Sequence, residues 1–451
     1  MEKSAIPEET ETIAAKRSKR LTQKILEARQ KLNQRKAWWS NALVEILIVG
    51  IVFVLNVYLV IEYFDTFAYE TAFSGPVIPL TIKLVQVFNV SYLKALQLVN
   101  IFFFMFFPIS MYVFIRHFTE RKLAAVTGIL IISLPYYPFA ETRINAALLA
   151  QDSAHMASLV IIPFALITMH KFIKEGKTSN LIFVSLTTAL IALASPFGLL
   201  TYLIISLVVT FSEVLLGKGR LKLTRLIFAL IIGAGLTSFW YNPGFIYWII
   251  TGPMGSDLKG TLSRLIPMTF FTLPILATFG YLLFDRKPQL QSLFVSFFLL
   301  VSFLVLSSAG GGIFSLHPSR YVPELGISLA FFIGIVFVRI GDYISMRELK
   351  INKAKPGING KTLIRSATVL VLVMLIVGVI LGKENVSQPR KVLGYWSQVE
   401  KSEIWMARDE VRGSFVILGY IITFSSVSAL GFVSLEARKE QKSKIVKSYK
   451  V

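Results

Sequence analysis

Long apolar runs alternate along this chain with polar connections, and basic residues gather in every second connection. About twelve runs are long enough to cross a bilayer as helices. They are Leu43–Tyr63, Tyr92–Ile115, Leu123–Phe139, Met156–His170, Leu181–Ala194, Phe197–Leu216, Leu226–Tyr241, Leu265–Phe284, Ser292–Ser307, Pro323–Val338, Ser366–Leu381 and Ser414–Leu435. The expected fold is therefore an all-α polytopic membrane protein. A shorter amphipathic stretch, Val77–Asn89, follows Gly75-Pro76 and is expected to lie along the membrane surface.

The basic residues give the alternation a direction. One set of connections, with both termini, carries about 35 of the 47 Lys and Arg residues, which by the positive-inside rule makes it cytoplasmic. An even number of spans follows, with both termini inside. The chain then divides into a basic arm (1–40), a transmembrane core (41–340) with an exterior loop at 64–91, a basic cytoplasmic loop (341–365), a helix pair (366–435) with an exterior loop at 383–412, and a basic tail (436–451). In the arm, Leu21, Ile25, Ala28 and Leu32 share one helical face, and Trp38-Trp39 mark the interface. Two readings stay open: a surface helix on anionic lipid, or a soluble arm that sets topology. The arm and the 383–412 loop are the candidate contacts for a membrane-protein partner.

Composition removes several classes of function. The chain is 54% hydrophobic and only 16% charged, with mean hydropathy +0.65, which does not suit a soluble protein of this length. The net charge of +21 sits in the connections, so it speaks for topology and not for nucleic acid. Cysteine is absent, which excludes disulfides and thiolate chemistry. There is no phosphate-binding loop, no zinc-protease helix and no serine-hydrolase elbow. Paired broken helices of the transporter kind are not evident.

Candidate chemistry lies in the exterior connections. Asp65 and Glu70 follow the first span directly. A carboxylate there can deprotonate an acceptor hydroxyl, and partial burial would raise its pKa toward a useful value. The competing role for Asp65 is a helix cap. The second connection, Ala140–His155, holds Glu141, Arg143, Asp152 and His155; later ones hold Trp240, Tyr241, Trp248, His317 and Arg320. Arg320 and Arg143 suit a lipid phosphate, since guanidinium binds it in bidentate fashion. An interface anchor or a local pair with Glu141 is the plainer role. His155 and His317 can carry protons or donate to phosphate, or simply pack with a hydrogen bond. Asp152 with Asp65 is a candidate pair for Mg or Mn. The tryptophans suit sugar stacking or an interfacial belt equally. Glu45 and Glu213 lie inside spans near cytoplasmic ends and read as structural, reaching water by snorkelling. His117 and His170, at the same ends, read as surface residues.

Four motifs now carry a resemblance: AHMASLVIIPFAL at Ala154–Leu166, SPFGLLTY at Ser195–Tyr202, FWYNPGF at Phe239–Phe245 and HPSRY at His317–Tyr321. With an acidic first exterior loop, they resemble polytopic proteins of the GT-C glycosyltransferase superfamily, including YfhO-like and arabinofuranosyltransferase-like proteins. Some of these carry the label of a membrane domain related to 6-pyruvoyl-tetrahydropterin synthase. The resemblance covers roughly Leu43 to Arg339. It implies sugar transfer from a polyprenyl-phosphate-linked donor, on the outer face of the plasma membrane, to a lipid, glycan or protein. It also implies an acidic first-loop residue as base or metal residue, and Asp65 matches that place. The sequence departs from the family's commoner pair of adjacent acidic residues and has no large soluble exterior domain. The alternatives are a lipid or glycan transporter, or a non-catalytic membrane scaffold.

Overall fold

A computed structural model describes residues 42–69, 75–216, 221–252, 290–308, 318–351, 360–387 and 414–448, with a few isolated positions besides. By compactness the chain divides after Ile51. Residues 42–51 are helical with most side chains exposed, and the chain from Val52 onward forms the packed unit.

That unit is built from helices. Within it, helix α1 covers 52–60 and ends in a 3-10 turn, Ile61–Asp65. Then come α2 (Val77–Gln86), α3 (Tyr92–Thr119), α4 (Lys122–Ile132), the short α5 (Ala140–Ile144), α6 (Ser153–Glu175), α7 (Thr178–Ala194), α8 (Pro196–Leu216), α9 (Lys222–Thr237) and α10 (Pro243–Thr251). After residues outside the described set come α11 (Gln291–Ser308), α12 (Val322–Ile351), α13 (Gly360–Leu381), a four-residue helical turn (Glu384–Ser387) and α14 (Ser414–Ser448). Among the described residues, seven helices are long and apolar enough to cross a membrane, and four shorter apolar ones accompany them. The protein is a multi-pass, all-α membrane protein. Helical spans satisfy every backbone N–H and C=O internally, as lipid requires.

Antiparallel neighbours sort the connections onto two ends. At one end His117 meets His170, Arg121 meets Asp342, Arg225 bonds Ile173 O, and Gln291 and Lys222 reach Glu213. These are the basic connections of the sequence alternation. At the opposite end Lys383 pairs with Glu62 and the Tyr241 hydroxyl donates to Ala192 O. Close approaches between helices rest on small residues, as is usual in membranes. A Cβ on Gly198 of α8 would lie 2.1 Å from Ser158 Oγ on α6. One on Gly326 of α12 would lie 2.2 Å from Pro138 O.

Several boundaries differ from expectation. The span expected at Leu123–Phe139 stops at Ile132, because Pro135 and Pro138 lie within the following turn and cannot extend a helix. The connection Ala140–His155 is largely helical, with α5, a π-turn at Asn145–Leu149, and the first turn of α6. The loop expected at 341–365 is narrowed from both sides by α12 and α13. The tail expected from 436 continues α14 to Ser448. Helix α2 is amphipathic as expected, with Ile78 and Ile82 buried and Leu80 and Leu84 exposed. The span Leu265–Phe284, the arm 1–40 and most of 383–412 lie outside the described residues.

Candidate functional site

The end of the bundle opposite the basic connections holds most of the candidate residues. Asp152 stands just before α6 as its N-cap, and its Oδ1 accepts from the His155 backbone N–H at 3.3 Å. That cap starts α6 at Ser153 and brings His155 into the first turn, facing the core. From the start of α12 come Arg320, on a 3-10 turn, and Glu324. Arg320 Nε donates to Asp152 Oδ2 at 2.8 Å, and Nη2 donates to Oδ1 at 3.1 Å. This is the bidentate fork that guanidinium makes with a carboxylate. His155 Nε2 lies 2.8 Å from Glu324 Oε1. Phe197 covers the group: the Arg320 guanidinium is 4.1 Å from its ring centre and the His155 ring 4.8 Å. Asp152, His155, Arg320 and Glu324 are each at most 1% exposed.

Asp65 lies far from these residues along the chain and in a different setting. It ends the 3-10 turn after α1 and is exposed. Its loop is tied to the bundle on both sides. Gln97 Nε2 donates to Thr66 Oγ1 at 2.8 Å, Lys94 Nζ donates to Phe64 O, and Tyr69 N donates to Gln151 Oε1 at 3.0 Å. The Tyr69 hydroxyl also donates to Leu149 O. Half-burial pushes the Tyr69 phenol above its ordinary pKa, which keeps it a donor. The first loop therefore docks on the segment that leads into Asp152.

Arg143 lies on α5 and is 1% exposed. Its Nη2 donates to Ile132 O at 2.7 Å, and its guanidinium sits 4.8 Å from the rings of both Phe104 and Phe107 on α3. Nε and Nη1 are buried without a partner among the described residues. Burial draws its pKa down to about 9, so it stays charged at neutral pH.

The structure thus brings together Asp152, His155 and Arg320 from the sequence-derived set, leaves Asp65 exposed on a tethered loop, and buries Arg143 apart from them against Phe104 and Phe107. Trp248 is on α10, with its side chain outside the described set, while Glu70 and His317 lie outside the described residues. The pairing of Asp65 and Asp152 on Mg or Mn does not fit the donor set. Both Asp152 oxygens are engaged by Arg320, and among the described residues no group of three or more His, Asp or Glu side chains is arranged to hold a metal ion. Glu324 was missed by sequence reasoning. A carboxylate two residues into an apolar run was the available signal.

A second polar cluster occupies the basic end. His170 Nε2 and Gln291 Nε2 lie 3.0 Å and 2.7 Å from Glu213 Oε1, and Lys222 Nζ donates to Glu213 Oε2. His117 Nε2 lies 3.0 Å from His170 Nδ1. Glu213 is only 4% exposed and His170 8%. The snorkelling expected of Glu213 and the surface role expected of the histidines are replaced by an internal network. The physical reason is the approach of α9 and α11, which deliver a cation and an amide to the carboxylate.

No family model matches the sequence, and no curated protein matches it. Among solved structures the chain is similar to the archaeal oligosaccharyltransferase AglB from Archaeoglobus fulgidus, determined in complex with an inhibitory peptide and a dolichol-phosphate. The TM-score is 0.43 at 13% identity, with 78% of this chain and 56% of that chain covered. The chain thus spans little more than half the length of that protein.

Proposed function

We propose that this protein is a GT-C-type membrane glycosyltransferase that takes a sugar from a polyprenyl-phosphate-linked donor, with Asp65 as the base. The observation that carries the reading is the exposed Asp65 carboxylate on a loop held to the bundle by Lys94, Gln97 and Tyr69. Tethering fixes a base where an acceptor hydroxyl can reach it, and fixed position is worth much of a transfer reaction's barrier. Loss of the acceptor proton to Asp65 lets the acceptor oxygen attack the anomeric carbon as the bond to the phosphate oxygen breaks. The phosphate leaves on its lipid, and the sugar inverts. The basic connections then face the cytoplasm, so Asp65 works on the outer face.

In this reading Arg320 does not receive the lipid phosphate. It pairs with Asp152 and pins the start of α12 to the start of α6. One observation favours the scaffold alternative: that bidentate pair satisfies both Asp152 oxygens within the fold. Transfer of radiolabelled sugar from a panel of polyprenyl-phosphate donors in proteoliposomes, with and without divalent metal, tests the proposal. Transfer by the wild type supports it; no transfer with any donor in the panel favours the scaffold.

A further inference from the structure

The transferase reading makes no use of Arg143, and this side chain carries a buried charge without an ionic partner among the described residues. We propose that the buried Arg143 guanidinium binds a small monovalent anion of the size and charge of chloride.

Three observations lead there. Arg143 is 1% exposed, yet Nε and Nη1 have no hydrogen-bond partner among the described residues. Its one hydrogen bond, from Nη2 to Ile132 O, goes to a neutral carbonyl. The rings of Phe104 and Phe107 offer their π faces, but this attraction is smaller than the desolvation of a buried ion. Next, Asn100 sits one turn before Phe104 on the same face of α3, since residues four apart are neighbours on a helix. Its side chain is 0% exposed, and both its amide N and its amide O lack a partner among the described residues. An unpartnered guanidinium edge and an unpartnered amide N–H, both against the Phe104 side of α3, are the kinds of donor that hold an anion.

Finally, charge and burial select the anion. No carboxylate pairs with Arg143 among the described residues, so one negative charge completes the site. A phosphate dianion would overcompensate it. The enclosed setting, with Asn100 and Arg143 both out of solvent, suits a single weakly hydrated ion better than a lipid headgroup. Arg320, one residue type in the same fold, shows the alternative solution: there Asp152 provides the negative charge from within.

The test uses the full chain in detergent and follows its unfolding midpoint by tryptophan fluorescence. Sodium chloride replaces sodium gluconate at constant ionic strength. The wild type is expected to gain a few degrees of stability with saturation, because a ligand bound only to the folded state shifts the midpoint. Bromide should act alike, and Arg143→Met should be flat in both. Inorganic phosphate forms a second arm, and nanodiscs with anionic or zwitterionic phospholipid a third. A wild-type midpoint insensitive to chloride and bromide overturns the proposal. So does a response confined to phosphate or to anionic lipid, or an unchanged chloride response in Arg143→Met. If that variant does not fold, chloride-35 line broadening by the wild type, reversed by bromide and weakened in Asn100→Leu, decides instead. None of these readouts depends on sugar transfer, so the transferase proposal can fail separately.

Discussion

Arg320 and Arg143 are equally buried, at 1% exposure each, and both lie on aromatic rings, yet the fold treats them differently. Arg320 meets Asp152 through two hydrogen bonds, while Arg143 keeps two donor nitrogens without a partner among the described residues. Burial alone does not tell a strut from a binding group; compensation does. A paired guanidinium holds two helices together. An unpaired one costs stability until something from outside joins it.

Substitutions can break this contrast, and their effects should descend in order. Asp152→Asn leaves Arg320 buried without its counter-charge and removes part of the fork. A loss of about 3–5 kcal/mol is expected, read from denaturant unfolding in detergent. The double variant Asp152→Leu/Arg320→Met should recover most of that loss, because it removes both charges together. At the basic end, Glu213→Gln leaves Lys222 without its anion but keeps hydrogen bonding to neighbours. About 2–3 kcal/mol should be lost there in the same assay. Tyr69→Phe removes one hydroxyl bond to Leu149 O and should cost about 1 kcal/mol. A faster proteolytic cut next to Tyr69 should accompany it. Arg143→Met comes last: below about 1 kcal/mol in chloride-free buffer, since removing an uncompensated charge offsets the lost bond to Ile132 O. A cost for Arg143→Met equal to that for Asp152→Asn would erase the distinction.

Much of the fold was legible in the hydrophobic pattern. Spans such as Tyr92–Ile115, Phe197–Leu216 and Ser292–Ser307 correspond to α3, α8 and α11 within a few residues. The grouping of basic connections was legible too, because charge must stay near water whatever the packing. What failed was local. The run Leu123–Phe139 looks uniform in hydropathy, but its two prolines end α4 early and make room for α5. Glu213 looked able to reach water because sequence shows depth along one helix and not what neighbours deliver to it. The same limit applies to the candidate site. Asp152, His155 and Arg320 could be singled out as residue types, but their pairing depends on the register of α6 against α12. Glu324 stayed hidden inside an apolar run, and its role rests on a contact 169 positions away in the chain.

The most direct test of the central claim is single-turnover sugar transfer in proteoliposomes by wild type and Asp65→Asn, with donor binding measured in parallel. The account predicts that the variant binds donor normally and loses transfer by a factor of about 100 or more, the usual contribution of a general base. Transfer at the wild-type rate by Asp65→Asn would contradict it.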